Sequence, residues 1–399
     1  MIELKLKAFR PLYFDTALVD VVSPPYDTIT TEQSRNLLSK EYNIYHLTKQ
    51  NSREDAENLF RKWTSSGTLR QMDHDVLIVL SQEFPGASEN SIRFGVIGIV
   101  DSQQVSGEII PHEDTFKKAV IERRDLMLAL QSQVEPIFLA VESTSLDRAI
   151  KHVIRDKTPY GVFEEPSGVI NRVFCIESQD QIDSICSSVS NTRAIVADGH
   201  HRLKATREIY SMQNQDKDFW KYSLSYITSL YNDSLFISGI HRILTMQGDK
   251  KTIMEKISRD FIITDFNTYT EDGNIWIFDG HYHRIVPRRN LAITPPEIIK
   301  DIILQRDLGM SLEEMERSIS YRYNVADAIS AAEKSGCVAI ISPNWNKAEF
   351  METLEKGNLL PQKSTYFYPK IPSGIGIYSN IGKGIGLSLS NKLENPEKC

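Results

Sequence analysis

The chain has 399 residues, with 53 acidic against 46 basic side chains, a net charge of −7 and 41% hydrophobic residues. That length calls for two or three domains, and the composition supports a sizeable core rather than disorder. The acidic balance argues against wrapping a nucleic-acid backbone, which needs a basic face. No apolar run reaches the ~18 residues of a membrane span. The opening MIELKLKAFRPLYF has no signal-peptide pattern. Four cysteines, Cys175, Cys186, Cys337 and Cys399, make no CxxC pair, so no disulfide framework or zinc module is expected. A cytoplasmic protein is the expectation, without a nucleic-acid or membrane partner.

Two prolines in Ser23-Pro24-Pro25-Tyr26-Asp27 hold an extended segment, and Thr30 is placed to cap a helix beginning near residue 31. Residues 53–66 place Ala56, Leu59, Phe60 and Trp63 on one helical face. Segments 76–84 and 91–101 read as a hairpin across Pro85-Gly86. Helices are expected at 115–133, 144–156, 179–189 and 200–212, and strands at 135–142, 171–178 and 192–197. Residues 222–231 and 234–244 read as a second strand pair.

After Gly248 a new block begins. Helices are predicted near 249–258, 296–308, 311–317, 325–335 and 346–356, with strands near 260–265, 274–278, 282–287 and 337–341. The glycine-rich end (Gly376, Gly382, Gly384, Gly386 around Lys383) reads as a turn-rich strand pair. Strict βαβ alternation is missing, so the expected fold class is α+β. The expected division is a catalytic domain over 1–245 and a smaller C-terminal domain over 246–399.

Two constellations carry chemistry. The first is Asp198-Gly199-His200-His201-Arg202, after an apolar strand and before a helix. A helix start offers free N–H groups and a positive dipole end, Gly199 permits a tight turn, and Arg202 adds a planar fork for phosphate oxygens. His200 and His201 add donors or an acid–base pair, and Asp198 can hold Mg2+ or orient a histidine. The competing reading is a plain Asp-Gly cap with surface histidines. The second is Glu108 through Asp125, where Pro111 ends a strand and places His112 and Glu113 at a turn. There a carboxylate can take a proton from a hydroxyl, and Lys117, Lys118 and Arg123 can neutralise phosphate. Its competing reading is a capping segment and a solvated helix.

Lesser candidates are Tyr26, Asp27, His46, His241, Arg242 and Lys363, each matched by a packing or turn role. The HExxH, Walker A, GxGxxG and GxSxG patterns are all missing.

The motifs SPPYD (23–27), HLT (46–48), PHEDT (111–115), Arg123, EPIF (135–138), ADGHHR (197–202), HR (241–242) and LLPQKSTYFYPKIPSG (359–374) resemble the family of domains of unknown function numbered 1015. Lys118-Ala119-Val120-Ile121 stands where that family usually carries more acidic residues. A more distant resemblance joins PHE…DGHHR to the free-serine kinases of the ParB/sulfiredoxin-like superfamily. It implies a ParB/sulfiredoxin-like mixed core, with Glu113 as base on a serine hydroxyl and His112 beside it. It also implies Asp198 to Arg202 as the phosphate and Mg2+ site, with Arg123 and Lys117 as auxiliary cations. The implied ligands are ATP or ADP, Mg2+ and L-serine or a similar small metabolite. A phosphoserine phosphatase and a non-enzymatic nucleotide-binding regulator are the alternatives, and oligomeric state is open, a homodimer included. The corner lacks the cysteine that sulfiredoxin chemistry needs.

Overall fold

The computed structural model describes residues 4–26, 28–49, 52–85, 91–103, 109–212, 217–245, 249–357 and 359–381. Asp27, Glu108, Gly86 and the glycines from 382 onward lie outside the described residues. The fold is a mixed α/β structure built on two large sheets.

Among the described residues the first sheet has nine strands. In spatial order they run Ile109–Ile110, Ala194–Asp198, Ile137–Val141, Tyr222–Ser229, Ser91–Asp101, Leu77–Phe84, Ile170–Ile176 and Gly161–Glu164, with Leu6–Lys7 added beside Ser91–Asp101. The expected hairpin forms, Val79 facing Val96 in antiparallel register. The Ile137–Val141 strand lies antiparallel to Ala194–Asp198 and parallel to Tyr222–Ser229.

Strands that are apolar at every position, such as Ile137–Val141, need cover on both faces. They have it. Ile137, Leu139 and Val141 join Ile150 and Ile185 from the helices Leu146–Ile154 and Gln179–Val189. Phe138 and Ala140 point the other way, into a cluster with Phe60 and Trp63 of helix Arg53–Ser65 and with Phe367 and Ile377. Each such buried side chain contributes roughly 1.5–3 kcal/mol.

The second sheet has six antiparallel strands among the described residues: Phe261–Phe266, Tyr282–Pro287, Ile275–Phe278, Val338–Ile341, His241–Leu244 and Ile319–Arg322. A π-helical segment, Ile298–Asp307, covers one face with Ile299 and Ile303, and helix Val325–Ser335 covers the other with Ala328 and Ala332.

The expected pairing of 222–231 with 234–244 is corrected here. Tyr222–Ser229 belongs to the first sheet, Phe236–Ser238 pairs with Tyr366–Tyr368, and His241–Leu244 joins the second sheet. The linker therefore hands the chain from one sheet to the other instead of folding back. The segment from Leu359 onward returns to the first sheet's side, where Ser373 bridges Ser23, Ile377 bridges Leu12 and Tyr378 pairs with Gln133.

A candidate anion and acceptor site at the strand-to-helix corner

Strand Ala194–Asp198 leads into helix His200–Met212 across a single residue, Gly199, with a register irregularity between Val196 and Asp198. Gly199 has φ +92°, in the left-handed region, and its carbonyl accepts the Leu203 N–H at 2.9 Å. A Cβ there would meet Ile137 Cγ2 at 3.0 Å and the Arg202 guanidinium at 3.1 Å. Conformation and space both demand glycine.

The two sequence constellations meet at this corner. The His112 N–H donates to His200 Nε2 at 3.3 Å, and the Phe116 N–H donates to His201 Nε2 at 3.1 Å. The adjacent histidines thus accept backbone bonds from the PHEDTF segment and fasten it to the helix start. A ring that accepts at Nε2 and is neutral carries its proton on Nδ1. Burial, followed by the neighbouring His112, pushes His200 down to about 3, so it is neutral at physiological pH.

Glu113 is bound by the late segment. Its Oε1 accepts Ser364 N (3.1 Å), Thr365 N (3.0 Å) and Thr365 Oγ1 (2.9 Å), and its Oε2 accepts Lys363 N (3.3 Å). Burial alone would raise this carboxyl. Its contacts with His112, His200 and Thr365 outweigh burial and hold it at about 2. Such a carboxylate is a weak proton acceptor, and a fixed orienting charge suits it better than the expected strong base.

Asp198 is flanked by cations. Its Oδ2 accepts Arg202 at 2.5 Å and its Oδ1 accepts Lys370. Burial pushes this group up, and the two cations pull it well below the usual carboxylate range. Arg202 also donates to the Pro136 carbonyl at 2.5 Å, which ties the EPIF motif to the corner. With both oxygens of Asp198 ion-paired, the donor set does not suit a protein-held Mg2+, which takes oxygen ligands in octahedral order.

One cavity of about 210 Å³ is lined by Glu113, Asp198, Gly199, His200, His201 and Arg202. Tyr26, Thr365, Tyr366, Lys363 and Lys370 complete much of its wall. The sequence-level candidates that reach this cavity are therefore Glu113, residues 198–202, Tyr26 and Lys363.

Three expected residues do not. His112 is 0% exposed and stands behind the wall: it contacts Thr365 Oγ1 at 2.7 Å and packs edge-on against Phe350 and Phe367. Because the Thr365 hydroxyl donates to Glu113, His112 donates from Nε2, and the run His112–Thr365–Glu113 positions the carboxylate. Arg123 lies over the Tyr26 ring at 3.9 Å and pairs with Glu135 at 3.7 Å. Helix Lys117–Leu130 carries it to the Tyr26 ring, so it backs that wall residue and does not itself line the cavity. Lys117 is exposed on the first turn of that helix and is not in the cavity wall.

Of the lesser candidates, His46 contacts the Lys40 carbonyl at 2.8 Å and stands edge-on to Trp63, a packing role. His241 is buried and accepts the Ser342 N–H. Arg242 donates to the Ile240 and Lys363 carbonyls, so it supports Lys363 from behind. Lys370 and Thr365 were the misses. Their only signal was membership in the long motif 359–374, which lies far from the corner in sequence.

Fold and site together define a mixed α/β protein with a charged cavity at a strand-to-helix corner, where Arg202, Lys363 and Lys370 line the wall beside Glu113, Asp114 and Asp198. The chain belongs to the family described as Protein of unknown function (DUF1015), matched over residues 6–311. No curated protein matches it. Among solved structures it is similar to a conserved hypothetical protein from Pyrococcus furiosus, at 15% identity and TM-score 0.40, over 70% of this chain and 94% of that one. It is similar to a free serine kinase in complex with AMP, at 16% identity and TM-score 0.40, over 70% and 92% of the two chains. SbnI with a C-terminal truncation from Staphylococcus aureus shows 10% identity and TM-score 0.37, over 71% and 87%. No helix among the described residues is long and apolar enough to cross a membrane.

Proposed function

We propose that the protein is a phosphotransferase that moves a phosphoryl group from ATP or ADP to the hydroxyl of a small metabolite, with free L-serine as the favoured acceptor. The ParB/sulfiredoxin-like reading of the core and the assignment of 1–245 as the catalytic domain, its cavity completed by the returning segment 359–381, belong to this proposal. The observation that carries it is the shared cavity: an orienting carboxylate, Glu113, faces a helix start bearing Arg202, with Lys363 and Lys370 alongside.

Phosphoryl transfer asks a protein mainly for positioning and charge neutralisation. The N-terminal end of helix His200–Met212 and the lysines receive the phosphate oxygens. Lys370 and Arg202, held by Asp198, are preorganised, so little reorganisation accompanies charge development. Glu113 Oε2, which takes the longer bond from Lys363 N, orients the acceptor hydroxyl. In a loose transition state that proton leaves late, so a carboxylate of low basicity is adequate. Any Mg2+ would arrive with the nucleotide and would add charge neutralisation to that of Arg202 and the lysines.

Replacing Glu113 by Gln is expected to lower turnover about 10²–10³-fold while nucleotide affinity changes much less. Steady-state rates and calorimetric titration on the same samples check this. Thr365→Val removes one hydroxyl bond to Glu113 and leaves its charge. If that variant is as inactive as Glu113→Gln, Glu113 is a scaffold residue and the orienting role fails.

A further inference from the structure

The corner cavity is small for the reaction proposed. Sites that enclose a drug-sized ligand run to ~300–1,000 Å³, and this one is about 210 Å³. A nucleotide with an acceptor beside it must extend outside. Tyr323, Lys363, Tyr366 and Lys370 line the cavity and also a second space of about 1660 Å³, whose wall includes Ile243 and Tyr321 of the second sheet, Thr31 and Gln33 of helix Thr31–Ser39, and the 165–167 turn that follows strand Gly161–Glu164. Those four shared residues show that the two spaces adjoin.

Four tyrosines, Tyr321, Tyr323, Tyr366 and Tyr368, line the groove. Strand Tyr366–Tyr368 buries Phe367 in the core and turns Tyr366 and Tyr368 to the groove. Tyr321, in strand Ile319–Arg322, and Tyr323, just past its end, also line the groove. Tyr323 and Tyr366 stack at 4.4 Å between centroids, and Lys370 Nζ lies 4.9 Å from the Tyr366 ring centre. Aromatic and cationic surfaces meet at that junction. Tyr321 and Tyr323 also lie beyond residue 311, where the family match ends.

We infer that the groove beside the second sheet binds the nucleoside half of the nucleotide, with its base against the Tyr323–Tyr366 pair and its phosphates passing Lys363 and Lys370 to the corner at His200. This rests on the phosphotransferase reading and adds to it a donor subsite that the second sheet helps to form. A π-face is what a base requires, and base–aromatic stacking contributes ~1–3 kcal/mol. Charged groups at the inner end then fix the direction of the ligand.

The test compares ATP with inorganic tripolyphosphate by calorimetric titration of the full chain. Tyr323→Ala is expected to weaken ATP about tenfold and leave tripolyphosphate within about twofold, and Tyr323→Phe retains both. Photolabelling of the wild-type protein with 8-azido-ATP, which needs no variant to fold, is expected to mark peptides containing 319–323 or 366–368. Equal losses for both ligands, no loss for either, or labelling elsewhere would overturn the groove assignment. If ATP binds with Tyr323→Ala unaffected but is lost on Arg202→Met, the groove fails while the phosphotransferase reading stands. If wild-type protein binds tripolyphosphate but neither ATP nor ADP, both readings fall.

Discussion

At Gly199 the backbone conformation and the space beside Arg202 impose the same requirement. Gly199→Ala is expected to cost about 2 kcal/mol through the left-handed φ alone and also to push Arg202 off Asp198. A thermal midpoint equal to wild type would show that the corner is laxer than described. The same residues set a pH response. His200 is depressed from 6.5 to about 3 and Glu113 from 4.5 to about 2. For both groups the unfolded chain binds more protons within those intervals, so stability rises with pH there. Acidification from pH 6.5 to 3 therefore destabilises the fold through His200, and below 4.5 through Glu113 as well. His200→Asn is expected to flatten the midpoint against pH between 6.5 and 4.5. A slope unchanged by that substitution would show that His200 is not buried neutral. The sequence displayed Gly199 and its polar neighbours plainly. It did not show that the histidines accept backbone bonds, because their donors at residues 112 and 116 lie more than eighty positions away.

The element with the greatest influence is the returning segment from Leu359 to Ile381. It carries Lys363, Thr365, Tyr366 and Lys370 to the cavity and is held to the first sheet by a buried guanidinium. Arg93 donates to the Tyr368 carbonyl at 3.1 Å, to the Pro369 carbonyl and to Gln82 Oε1 at 2.5 Å, and stacks on Phe138. Arg93→Met leaves buried carbonyls without a donor, at about 1–3 kcal/mol each. The variant is expected to lower stability and to weaken nucleotide binding more than the substitution of an exposed arginine such as Arg155. Chemical denaturation and titration on one preparation check this, and full nucleotide affinity in Arg93→Met would mean that the segment is held by other contacts. Nothing in the local pattern of 359–374 foretold this docking. Its short strand pairs with Phe236–Ser238, about 130 residues earlier, and periodicity reports only local structure. By contrast, helix His200–Met212 and the hairpin of Leu77–Phe84 with Ser91–Asp101 were readable, since apolar spacing and turn residues bound both of them.

Across the whole molecule, two sheets have covered faces, and a groove beside the second sheet adjoins the corner cavity at strand Ala194–Asp198. Mixed α/β character was legible from irregular alternation of strand and helix patterns. The passage of His241–Leu244 into the second sheet was not, because its partners Ile319–Arg322 and Val338–Ile341 come much later in the chain. The central claim is that this cavity transfers phosphate from a nucleotide to a small hydroxyl compound. Mass spectrometry of full-length protein incubated with Mg2+, ATP or ADP, and a panel of hydroxylated metabolites headed by L-serine tests it most directly. The expected result is a phosphorylated acceptor formed in step with nucleotide consumption and lost in Glu113→Gln. Phosphate released from phosphoserine without any nucleotide, or unchanged reactants throughout the panel, would contradict it.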